Sequence, residues 1–214
     1  MPTIYLLRHG QASFGTDDYD VLSELGVRQA RVAGQELARR GLRTPVVVSG
    51  TLRRQQDTAE LASGQFAAEL EATDPRWNEF DAHGLVEEHL ERPGASAGMS
   101  SGVFQEHLDD AMREWMTTPG AGWHGFADDA YSALRDLAAA VPRGSDAVVA
   151  TSAGVIAALV TRVLSAPAET AIALNRVSVN SSLTVIAAGP KRLSVMTFND
   201  HAHLLGEPGL VTYR

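Results

Sequence analysis

Apolar residues fall along this chain in short uninterrupted runs, separated by longer stretches where they recur every three to four positions. TIYLL, residues 3–7, stops abruptly at Arg8, the pattern of a strand buried on both faces. VVVS at 46–49 follows Pro45 and reads the same way. AVVATSAGVIAALVTRVL predicts a strand (146–150), a tight turn and a helix (154–165). SLTVIAA and RLSVMTF predict two strands joined by a Gly189-Pro190 turn. Between these runs, Ser23 is a good N-cap for a helix to Arg40, with Ala30, Ala33 and Leu37 on one face and Gly41 to end it. Further helices are predicted over 52–63, 103–117 and 125–140, with a short one beginning at Pro167. A short strand is expected near Phe66–Leu70. Residues 72–102, rich in Gly, Ser and Pro, read as irregular, as does the tail from Asn199.

Alternating strands and helices predict an α/β three-layer sandwich. The sheet is expected to be mostly parallel, with helices on both faces and a small helical and loop insert. No repeat or linker divides the chain. It reads as a single domain, 1–214, with a lid or insert at about 72–125.

Composition narrows the chemistry. The 214 residues contain no cysteine, which removes thiolate nucleophiles and Cys-ligated metals. The 18 basic residues include one lysine, Lys191, in the predicted GPKRL hairpin turn. No G-x-x-x-x-G-K-[ST] loop exists, and a Schiff-base mechanism would have to use that turn lysine. An anion site must therefore be built from arginine, backbone amides or histidine. A net charge of −8 argues against nucleic-acid and anionic-membrane partners. The start MPTIYLLRHG lacks the form of a signal peptide, and no apolar run is long enough to span a membrane, so a cytoplasmic location is expected. An apolar strand edge is compatible with a homodimer.

In parallel sheets, sites gather at the carboxyl ends of strands. Three such ends carry polar groups here: Arg8-His9-Gly10, Ser49 through Arg54, and Thr151-Ser152-Ala153-Gly154. A histidine directly after a buried strand can serve as a nucleophile through one ring nitrogen if a carbonyl holds the other, or it can simply cap the strand. The neighbouring arginine can hold a phosphoryl oxygen, and the glycine permits a close backbone approach.

IYLLRHGQAS resembles the opening of the histidine phosphatase superfamily, which includes the cofactor-dependent phosphoglycerate mutases. LSELGVRQA resembles the family's L-T-x-x-G-x-x-Q-A. SGTLRRQQDTAE resembles its S-S-P-L-x-R-A-x-x-T-A, and WNEFDAHG its L-x-E-x-x-x-G. VVATSAGVIAAL resembles V-V-S-H-G-G-V-I, and FNDHAHL the closing N-D-x-x-H-L. The pieces span the chain in the family's order.

The resemblance implies a phosphohistidine mechanism. His9 matches the nucleophile, while Arg8 and Arg54 match the phosphate-binding arginines. Arg53 then reads as solvated. Glu79 matches the general acid, with Asp74 and Asp81 as neighbouring alternatives. Such an acid needs a raised pKa, to which Trp77 and Phe80 can contribute by apolar surroundings. The family's second histidine falls at Ser152, where serine supplies a hydrogen bond but no charge. Backbone amides of the following helix remain as expected phosphate ligands beside Ser152. His203 matches the closing histidine. His201 is extra: either it substitutes for the missing imidazole or it is a strand-end residue.

Gln11 and Ser13 are further candidates to touch phosphate or substrate, and Ser23 either does so or only caps its helix. Asp17, Asp18 and Asp20 read as a solvated loop. His83, Glu87, Glu88 and His89 fit no standard zinc spacing and read as a polar lid, so neither metal nor cofactor is expected. His107, Trp115, Trp123 and His124 read as cap packing. The expectation is a metal-independent phosphatase acting on a small phosphorylated substrate. The alternatives are mutase-type transfer and a phospholigand-binding pseudoenzyme.

Overall fold

Strand β1 (Thr3–Arg8) carries the apolar run of residues 4–7 because it has a helical layer on each side. Ile4 and Leu6 pack into a core with Ala130, Leu134, Ile156 and Leu159, and Leu7 packs on the other face with Ala33, Leu37, Ala59 and Ala62. The computed structural model describes residues 1–13, 20–120 and 122–213, and Asp17 and Asp18 lie outside them. Its sheet has the order β3-β2-β4-β1-β5-β6. The other strands are β2 (Val46–Ser49), β3 (Leu70–Thr73), β4 (Ala147–Thr151), β5 (Leu183–Ala188) and β6 (Leu193–Asp200). β1, β2, β3 and β4 are parallel, whereas β5 runs antiparallel to both β1 and β6. The sheet is therefore mixed, with β5 alone reversed.

Helices α1 (Glu24–Arg39) and α2 (Arg53–Ser63) cover one face. α5 (Gly122–Ala140) and α6 (Ala153–Val163) cover the other. α3 (Ala82–His89), α4 (Ser101–Thr117) and α7 (Thr170–Val177) pack outside α6 around Met112, Met116 and Ile172. Ser23 caps α1 as expected, accepting from the Gly26 amide at 3.0 Å.

Three expectations need correcting, the first being the irregular tail: β6 runs on through Asn199 to Asp200, and a 3₁₀ turn follows at Ala202–Leu204. The strand placed near Phe66–Leu70 begins only at Leu70. After α2 the chain winds through a turn in which Ala67 has φ +53° and the Ala68 amide donates to Ser63 O at 3.2 Å, so extension starts late. Residues 72–102 are not wholly irregular: they contain the end of β3, a short 3₁₀ turn at Pro75–Trp77, and α3. α3 starts because Asp81 caps it, accepting from the Gly84 amide at 2.9 Å.

Candidate active site

The three polar strand ends meet at the carboxyl edge of the sheet, where a cleft of about 760 Å³ opens between them and helices α3, α4 and α7. Arg8, His9, Arg54 and Glu79 all line it. The His9 amide donates to Thr151 O at 2.8 Å, which ties the β1 exit to the β4 exit. Gly10 must be glycine: a Cβ there would lie 2.4 Å from Gly26 O. The Gly10 amide donates to Thr58 Oγ1 at 3.1 Å, linking the same turn to α2.

His9 Nδ1 lies 2.7 Å from Gly10 O. A carbonyl only accepts, so Nδ1 carries the proton and Nε2 keeps the lone pair. Nε2 faces Arg54 Nε, which donates to it at 3.3 Å. Burial, then the positive charges of Arg54 and Arg8, hold the imidazole pKa well below its ordinary value. The ring is thus a neutral base of fixed tautomer.

Arg8 Nη1 donates to Ser178 O. Arg54 Nη1 donates to Asp20 Oδ1 at 2.6 Å, and Asp20 Oδ2 accepts from the Arg53 amide at 2.7 Å. Asp20 is therefore not simply solvated: it caps the start of α2, where Leu52 has no side chain to do so, and it holds the Arg54 fork. Arg53 is exposed, as expected.

Glu79 sits across the cleft. Its Oε2 accepts from the Gly154 amide at 3.0 Å and its Oε1 from the Phe80 amide at 3.2 Å. Burial raises its pKa, against the lowering by these amides and by Arg54 and Arg8. Gly154 leaves the room: a Cβ there would lie 2.2 Å from Glu79 Oε1. The Gly154 amide, expected as a phosphate ligand, is instead engaged with this carboxyl group. Asp81 also lines the cleft but serves as the cap of α3, while Asp74 is paired with Arg76 at 2.7 Å.

Ser152 lies at the β4 exit but is fully buried, and its hydroxyl accepts from Gln55 Nε2 at 2.8 Å. Ala153 occupies the cleft wall there. The Ser152 side chain, expected at the phosphate, points in this structure to Gln55 in the floor of the site. Gln55 Nε2 also donates to Trp77 O at 3.0 Å, and Thr151 Oγ1 donates to the same carbonyl at 2.6 Å. This buried network under the site had no signal in the sequence beyond the neighbouring motif.

His201 does not line the cleft either; its Nδ1 donates to Asn199 O at 2.6 Å at the end of β6. His203 Nε2 donates to Ser181 O at 3.0 Å. That bond braces the loop 178–182, whose Ser178 holds Arg8 and whose Asn180 Nδ2 donates to His9 O at 3.3 Å. Asn199 braces the same loop, its Oδ1 accepting from the Val179 amide at 2.8 Å. Gln11 and Ser23 bond to each other, Ser23 Oγ donating to Gln11 Oε1 at 3.0 Å. The Ser13 amide donates to Val21 O at 2.7 Å. None of these three lines the cleft.

His83 lines the cleft and Trp115 and Trp123 pack in the helical annex, as expected of cap residues. Among the described residues no group of His, Cys, Asp and Glu could hold a metal ion, and no helix is long and apolar enough to cross a membrane.

The profile of the histidine phosphatase superfamily (branch 1) matches residues 4–201. No curated protein matches the chain in sequence. Solved structures share the fold. A mycobacterial glucosyl-3-phosphoglycerate phosphatase in complex with VO3 has 24% identity and a TM-score of 0.68 over 94% of this chain and 100% of its own. YhfR of Bacillus stearothermophilus has 20% identity and a TM-score of 0.70 over 95% of this chain and 99% of its own. A phosphoglycerate mutase from Bacillus anthracis has 18% identity and a TM-score of 0.62 over 94% of both chains.

Proposed function

The chain belongs to the histidine phosphatase superfamily (branch 1), and from that premise we propose that it hydrolyses a phosphomonoester through a phosphohistidine at His9. The observation that carries this reading is the His9 ring itself. Its proton is fixed on Nδ1 by Gly10 O, and its Nε2 lone pair faces the cleft beside Arg54.

Nε2 attacks phosphorus in line while the bond to the leaving oxygen breaks. Arg8 and Arg54 hold the non-bridging oxygens, with arginine rather than a metal meeting their charge. A phosphoryl oxygen takes over the Arg54 Nε–H that rests on Nε2. Glu79, whose pKa burial raises, gives its proton in its protonated form to the departing alkoxide. Water then attacks the phosphohistidine and passes a proton to the Glu79 carboxylate. Inorganic phosphate leaves and His9 is restored.

Incubation with p-nitrophenyl phosphate, quenched and assayed for acid-labile phosphate, tests this. The expected result is steady release of inorganic phosphate with a transient label on His9. No turnover and no label at high enzyme concentration would overturn the reading in favour of a phospholigand binder. Conversion of 3- to 2-phosphoglycerate in preference to phosphate release would replace hydrolysis by mutase-type transfer.

A further inference from the structure

A second cleft, about 650 Å³, lies at the other end of the sheet, where the β5–β6 hairpin and the last turns of α5 flank the start of β1. Four cations line it: Arg135 from α5, Arg143 from the loop after it, and Lys191 and Arg192 from the hairpin. Among the described residues no aspartate or glutamate lines it. None of the four makes an ion pair with an acid among the described residues.

The acids nearest in sequence are already committed. Asp136 pairs with Arg76 at 2.8 Å. Asp146, nearly buried, pairs with Arg43 at 2.5 Å and accepts from the Thr3 amide at 3.1 Å. The chain carries a net −8, so a concavity with four positive groups and no negative one departs from its general electrostatics. Like charges gathered around one hollow repel one another, and an anion seated among them relieves that repulsion. Arginine forks also suit phosphate oxygens.

The cleft is more than a charged surface. Tyr131, Ala138, Val141 and Leu193 give it an apolar side, and its volume is that of a small-molecule site. We propose that this cleft binds an organic polyanion of the nucleoside polyphosphate class. Its phosphates would lie among Arg135, Arg143, Lys191 and Arg192, with its ring against Tyr131 and the apolar wall. The proposal does not depend on chemistry at His9, since the two clefts share no lining residue.

The test uses the β,γ-imido analogue of ATP, which resists hydrolysis, titrated calorimetrically into the full chain and into an Arg135→Ala/Arg192→Ala variant. Both side chains are exposed, so the variant retains the wild-type melting temperature. Binding by the wild type, weakened at least about tenfold in the variant, is the expected result. Pyrophosphate, which lacks the ring, should bind more weakly than the analogue. The proposal fails if the analogue does not bind at millimolar concentration, or if the double variant binds it unchanged, which would assign it to the His9 cleft. It fails also if pyrophosphate binds equally well, which marks a bare ion patch. An acidic peptide of equal charge binding more tightly would make the surface a protein-docking face instead.

Discussion

His9, buried, and His203, partly buried, both lie just beyond the ends of strands, and each gives one ring N–H to a backbone carbonyl, of Gly10 and Ser181 respectively. Burial lowers the pKa of both. They differ in what surrounds the ring. His9 faces a cleft with Arg8, Arg54 and Glu79, whereas the charges around His203 are Glu36, Asp200 and Arg40, away from the cleft. A buried, hydrogen-bonded imidazole is therefore only a precondition for nucleophilic catalysis. Converging cations and a proton donor turn it into a site. The comparison breaks most sharply on His9→Ala. Removing the proposed nucleophile should lower kcat by at least about 10⁴-fold and abolish acid-labile label, while the folded far-UV spectrum persists. Activity within tenfold of wild type would move the nucleophile elsewhere.

Glu79→Gln is expected next in size. The amide keeps the shape but has no proton to give, so alkyl phosphate hydrolysis should fall by about 10²–10⁴-fold. An aryl phosphate with a good leaving group should fall far less in the phosphorylation step, and an equal loss on both would argue against an acid role. The pH profile sharpens the same point. The productive form needs His9 neutral and Glu79 protonated. His9 is held well below its usual value and Glu79 is raised, and both shifts widen the range over which the two conditions are met together. kcat/KM should thus be bell-shaped, falling at low pH as His9 gains a proton and at higher pH as Glu79 loses one. Glu79→Gln should remove the second limb, measured with the alkyl substrate.

Apart from β3, the strands and the long helices were legible because their determinants are local. The run TIYLL stops at Arg8, and Ser23 caps α1 from three residues away. α3 was not legible: it is eight residues long with only Val86 fully buried, and its start depends on Asp81. At the site, the motifs located His9, Arg8, Arg54 and Glu79, which the fold brings to one cleft. Their supports were hidden because they are long-range. Nothing near Asp20 in the sequence points to Arg54, nor anything near Gln55 to Ser152. The loop 178–182 that holds Arg8 and His9 is apparent only once the chain is folded.

His203→Ala tests the other half of the comparison. If this histidine only braces the loop at Ser181, the loss belongs to stability, about 1–3 kcal/mol for a buried hydrogen bond and its packing. It would be read as a lower urea midpoint. kcat should fall less than about tenfold, with the shape of the pH profile kept. A changed pH profile without loss of stability would instead place His203 in the chemistry. His201→Ala should be milder still, because that ring bonds only to Asn199 O at the strand end and does not line the cleft.

The smallest effect is expected at Ser152. The resemblance to the family puts an imidazole there, and a serine in its place would matter most if it reached the phosphoryl group. In the structure the hydroxyl is fully buried against Gln55, with Ala153 on the cleft wall. Ser152→Ala removes one acceptor from Gln55 Nε2, which keeps its bond to Trp77 O. The cost should be about 0.5–1.5 kcal/mol of stability, with KM for p-nitrophenyl phosphate changed less than about threefold. A large rise in KM at unchanged stability would mean that serine does touch phosphate during turnover. An unchanged KM would leave phosphate binding to other groups of the cleft, Arg8 and Arg54 among them.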